Sequence, residues 1–78
     1  MMGDACWEFW RDCRSGVLWA VVTAANGGVV ACCGPLRPSQ ANPALLPYLR
    51  YGRRDVDWVE RNRDHFAPVG TRPYAYAS

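Results

Sequence analysis

The 78-residue sequence has no lysine and only one histidine, His65. All nine basic side chains are arginine, set against seven acids for a net charge of +2. Such usage is what a GC-rich coding sequence yields; the functional alternative is forked recognition of phosphate or carboxylate by guanidinium groups. A charge this small does not by itself imply a polyanionic partner. Nothing in the pattern supplies His65 with a nucleophile and an orienting acid, so no enzymatic chemistry is expected. Internal repeats, heptads and low-complexity tracts are also missing. The opening Met1-Met2-Gly3-Asp4 places an acid where an export signal needs a basic leader and an apolar run. The expected location is therefore the cytoplasm, where cysteines stay reduced.

What is present is apolar and aromatic. Half the residues are hydrophobic, with four Trp and four Tyr, which is too rich for a disordered chain. At 78 residues the chain makes one domain, and a chain of this size buries only ~60% of the surface its unfolded form exposes. Aromatic rings must supply much of the core.

Two turn signals organise the first half. Arg14-Ser15-Gly16 reads as a loop of two or three residues in which Gly16 takes a positive φ, and Asn26-Gly27 as a type I′ hairpin turn. Around them lie residues 7–12, 17–23 and 29–33, dominated by aromatic and β-branched side chains. Gly34-Pro35 ends the third run. Asn42-Pro43 then caps a short helix to about Arg50, with Pro47 awkward inside it. Arg53 to Phe66 reads as a longer helix, with Val56, Val59, Arg63 and Phe66 at helical spacing. The expected fold is α+β: a three-stranded antiparallel meander followed by a short and a longer helix packed on one sheet face. Residues 1–68 form this domain and residues 69–78 a flexible C-terminal tail.

Residues 15–36 contain no charge over twenty-two positions, long enough for a membrane helix, and Ala20, Ala24, Gly28 and Cys32 give a small-residue stripe. The hairpin accounts better for Asn26-Gly27-Gly28 and the β-branched residues, so no membrane association is expected. The four cysteines suit neither zinc nor disulfides. In a strand, Cys6 and Cys13 stand ~23 Å apart at ~3.3 Å per residue, and Cys32 and Cys33 point to opposite faces. No metal or other cofactor is expected, and a cysteine-based metal or redox sensor stays an alternative only if these strands are misassigned.

Strand 2 is apolar on both sides, whereas a sheet with one wet face alternates. If both helices cover one face, a second subunit or another protein covers the other. The leading expectation is a small non-enzymatic interaction or regulatory module acting through an apolar sheet face, with a protein partner or a homodimer. The alternative is nucleic-acid binding by the Arg/Tyr cluster at 48–54. The expected interaction residues are Trp10, Trp19, Val21, Tyr48, Arg50, Tyr51, Arg53, Arg54 and Trp58.

Overall fold

The computed structural model describes residues 5–73. Four strands form one antiparallel sheet: β1 (Cys6–Asp12), β2 (Leu18–Thr23), β3 (Val29–Cys33) and β4 (Phe66–Pro73), in the order β3-β2-β1-β4. The expected meander is present as β1-β2-β3. Its segment 15–36 is a strand hairpin, and no helix among the described residues is long and apolar enough to cross a membrane.

Both loops depart from the simplest hairpin turns. Between β1 and β2, the Ser15 and Gly16 N–H groups both donate to the Asp12 carbonyl, at 3.2 and 2.7 Å, and Gly16 has φ +78°. The loop thus takes four residues, Cys13 to Gly16, closed by the Asp12 N–H on the Val17 carbonyl at 2.8 Å. Between β2 and β3, Gly27 alone has a positive φ, of +84°, and Asn26 does not, so the turn is not type I′. Gly27 N–H donates to Ala24 O and Ala24 N–H to Gly28 O, at 2.8 and 2.9 Å. That is a three-residue loop in which a left-handed glycine follows an ordinary turn. The Asn26 side chain contributes by accepting from Gly28 N–H at 2.8 Å.

The fourth strand corrects the expected tail. Residues 66–73 pair with β1 from Asp12↔Phe66 to Cys6↔Pro73, with one irregularity opposite Phe9 and Trp10. Proline at 68 and 73 and glycine at 70 conceal this strand in the sequence. At a sheet edge proline loses no obligatory ladder bond, and a bulge absorbs the extra residue. Residues 74–78, the rest of the expected tail with Tyr74 and Tyr76, lie outside the described residues, as do residues 1–4.

The helices are shorter than expected and lie on opposite faces. Among the described residues only Val56–Arg61 is α-helical (α1), followed by a single 3₁₀ turn at Arg63–His65. Phe66, expected to end that helix, starts β4 instead. Six residues cannot hold a helix alone; Asn62 ends this one, its backbone and side-chain N–H groups both donating to Trp58 O. The short helix Pro43–Tyr48 is 3₁₀ throughout, which accommodates Pro47, and Asn42 caps it by accepting from Ala44 N–H at 2.9 Å.

Register assigns the faces. Trp10↔Trp19 and Val21↔Cys32 share the first face, Phe9↔Ala20 and Ala20↔Cys33 the second. On the first, Val59 of α1 seals Trp10, Trp19, Val21, Val29 and Cys32, with Val56, Trp58 and Phe66 around them. On the second, Leu46 of the 3₁₀ helix seals Phe9 and Ala20, with Leu36, Leu49 and Tyr51 around them. The chain reaches both because it rounds the β3 edge. After β3 it runs under the second face, where Leu36 N–H donates to Leu18 O at 2.8 Å. Gly52 then pairs with Cys32 on the β3 edge through two backbone bonds of 2.9 and 3.0 Å, and the chain emerges over the first face as α1. Both sheet faces are covered, as strand 2's composition requires, but by the chain itself. No second subunit is needed for that purpose.

Candidate functional site

The nine expected interaction residues divide between core and surface. Trp10, Trp19 and Val21 are core, at 5%, 8% and 0% exposure. Trp58 is half-buried and stacked on Trp19 with ring centroids 5.3 Å apart. Trp19, Val21 and Trp58 hold α1 on the sheet and are not free to anchor a partner, while Trp10 packs beside them with one ring face under the Arg63 guanidinium. Tyr51 is half-buried too, its hydroxyl donating to Leu46 O at 2.6 Å. Burial, with a smaller effect from Cys33, raises its pKa further above the ordinary phenol range. It serves as a strut under the 3₁₀ helix.

The surface group is Tyr48, Arg50, Arg53 and Arg54, all exposed. Tyr48 is 80% exposed and Leu45, one turn earlier on the same 3₁₀ helix, 36%. At three residues per turn their side chains stand on one side of that helix. Proline at 47 and the pairing of Gly52 on β3 fix the course of the chain between the tyrosine and the arginines.

Among the described residues, only two arginines make ion pairs: Arg14 with Asp12 and Arg63 with Glu60. Arg50, Arg53 and Arg54 make no ion pair and donate no side-chain hydrogen bond there. Arg50 and Arg54 border a cleft of about 190 Å³ at the β3 edge, floored by Cys32, Cys33, Gly34 and Gly52 and flanked by Asp55. The arginine cluster is legible in the sequence. The cysteine and glycine floor is not, because residues about twenty positions earlier meet the arginines only when Gly52 pairs with Cys32.

The Cys32 thiol on the cleft floor is not activated. Burial, then the charges of Asp55 and Cys33, push the Cys32 thiol up to about 11. It is a neutral packing thiol at ordinary pH, whereas the thiolate is the nucleophile and ligand. Cys32 and Cys33 lie in different core layers, one against each face. Among the described residues no three His, Cys, Asp or Glu side chains converge on a common point that could hold a metal ion.

A second ionic feature lies at the β1–β2 hairpin, two strands in from the β3 edge, and serves the fold. Arg14 forks onto Asp12, with Nε 3.0 Å from Oδ1 and Nη2 3.1 Å from Oδ2, while the Arg14 N–H donates to Oδ1 at 2.9 Å. The side-chain and backbone bonds from Arg14 hold the Asp12 carboxyl below its ordinary range. Arg14 Nη1 also donates to Asn62 Oδ1 at 3.2 Å, tying the first hairpin to the end of α1.

Comparison with protein-family models, with curated proteins and with solved structures finds no match to this chain.

Proposed function

We propose that the chain is a non-enzymatic binding module whose working surface is the Leu45–Arg54 segment, and that its partner is a protein presenting an acidic stretch. The observation that carries this reading is the set of three arginines that have no acceptor among the described residues, beside an 80% exposed tyrosine. Arginine and tyrosine are the residues that most often supply binding energy at protein interfaces. A guanidinium fork matches a carboxylate in two parallel bonds. The apolar sheet faces, packed under Val59 and Leu46, are not the surface offered. Self-association through the arginine loop is disfavoured, because a two-fold contact would set the patch against itself. The proposed setting is the reducing cytoplasm, in keeping with four free thiols.

Nucleic-acid binding is the second reading, favoured specifically by the open Tyr48 ring, on which an unpaired base could stack. Fluorescence anisotropy with a labelled oligoglutamate and a labelled single-stranded oligoribonucleotide separates the two. The proposal expects oligoglutamate to bind, and the combined Arg50→Gln, Arg53→Gln, Arg54→Gln variant to bind at least about tenfold more weakly. Binding of the RNA alone, with affinity falling as about 0.7 power of salt per phosphate contacted, would transfer the surface to the second reading. Binding of neither would refute both.

A further inference from the structure

The first sheet face carries a pocket that the arginine loop does not use. It lies between β1 and β4, has a volume of about 180 Å³, and is walled by Glu8, Trp10, Arg63, Phe66 and Pro68. Two walls are aromatic, with the Trp10 and Phe66 ring centroids 5.9 Å apart. Glu8 is half-buried there and carries no ion pair among the described residues. Its oxygens are held by neutral donors: Trp10 Nε1–H on Oε1 and the Thr23 hydroxyl on Oε2, each at 2.8 Å. An ionised carboxylate has about four acceptor positions, so each oxygen retains room for a further contact. The carboxylate is thus fixed beside an aromatic pair, with no direct ion pair among the described residues.

A cation already stands over this pocket. The Arg63 guanidinium carbon lies 5.0 Å from the Trp10 ring centroid, within cation–π range. It is steadied from outside by Glu60, whose Oε1 accepts from Nη1 at 3.2 Å and whose Oε2 accepts from Val29 N–H at 2.7 Å. The Arg63 and Glu60 side chains are 43% and 36% exposed, and an ion pair so open to water is weak. Arg63 therefore covers the Trp10 face without being locked to it.

We infer that this pocket is a recognition site for a methylated ammonium group and that Arg63 caps its Trp10 wall in the free protein. Aromatic faces attract such a cation through the ring quadrupole, and a neighbouring carboxylate supplies the opposite charge. At about 180 Å³ the space suits a small cationic head and is below the ~300–1,000 Å³ of pockets for larger ligands. The site is separate from the arginine loop and stands or falls independently of it.

The test follows the Trp10 indole N–H in isotope-labelled protein during titration with choline and with N-acetyl trimethyllysine amide. The neutral isostere 3,3-dimethylbutan-1-ol serves as control. The inference expects both cations to bind in preference to the neutral alcohol. Arg63→Gln should tighten their binding about three- to tenfold by clearing the ring. Glu8→Gln, whose carbonyl oxygen can still accept from Trp10 while its amide N–H donates to the Thr23 hydroxyl, should weaken it about tenfold. Binding by the trimethyllysine compound alone would support the site and assign it to protein tails rather than free choline. Equal binding of the neutral alcohol would overturn the inference in favour of a merely apolar void. So would an Arg63→Gln protein that binds the cations no better than the parent. Arg63 is exposed and touches the core at the Trp10 ring it covers, and that arm does not depend on the Glu8 variant folding.

Discussion

Leu46→Ala measures whether the second sheet face is closed by the chain itself. Leu46 is 1% exposed and is the one fully buried residue that the 3₁₀ helix sets against Phe9 and Ala20. Truncating a buried leucine costs ~2–5 kcal/mol, more where the surroundings cannot collapse into the space. Here the roof is a six-residue 3₁₀ helix, which can settle further than a sheet can, so a loss of ~2–3 kcal/mol is expected. For 78 residues at ~0.05–0.15 kcal/mol each, total stability is about 4–12 kcal/mol. The substitution thus removes about a sixth or more of it. In urea, at ~1 kcal/mol/M for so small a chain, the unfolding midpoint should fall by ~2 M with little change in slope. A midpoint within ~0.5 M of the parent would mean that Leu46 is not seated on the sheet. The second face would then be open, and a partner on that face would again be needed.

Other expectations follow from single contacts. A Cβ on Gly34 would clash with the buried Trp19 ring, so Gly34→Ala should lower stability by ~1–3 kcal/mol, read as a drop in the thermal midpoint. Tyr51→Phe removes the 2.6 Å bond to Leu46 O and should cost ~1 kcal/mol in urea unfolding. Arg14 holds the folded Asp12 pKa below the unfolded value, so its contribution to stability is complete above the ordinary carboxylate range and is lost as pH falls through the folded pKa. Asp12→Asn should therefore flatten the acid limb of the stability profile and leave its alkaline limb unchanged. With its thiol at about 11, Cys32 should be alkylated last by iodoacetamide at pH 8, well after exposed Cys13, as mass spectrometry of timed samples will show.

The parts of the fold legible in the sequence are those governed by local rules. Residues 17–23 and 29–33 read as strands because their side chains are β-branched or aromatic and glycine-bearing turns bound them. Asn42-Pro43 reads as a helix start because cap and first-turn proline are adjacent. Three features are set at longer range. β4 looks like tail because Pro68, Gly70 and Pro73 are breakers everywhere except at an edge. Arg53 to Phe66 has helical spacing, yet the chain must turn back at Asn62 to bring Phe66 beside Asp12, and α1 ends there. The placement of the helices on opposite faces depends on Gly52 pairing with Cys32, which no local pattern announces. The candidate surface divides in the same way. Tyr48 and the arginines form a contiguous cluster and are readable, whereas Trp10, Trp19 and Trp58 look like interface anchors and are the core of the first face. The Glu8–Trp10–Arg63 pocket joins residues more than fifty positions apart and has no sequence signature at all.

The proposed working surface is the Leu45–Arg54 loop, with the apolar cores of both sheet faces closed by the chain's own packing. Chemical-shift mapping of the isotope-labelled protein during titration with oligoglutamate tests this directly. The expected result is a contiguous set of shifts at residues 45–54 and at Cys33 on the cleft floor, with the amides of Phe9, Ala20 and Val21 unmoved. Shifts centred on Phe9, Ala20 and Val21, with the loop unchanged, would contradict it and return the function to a sheet face.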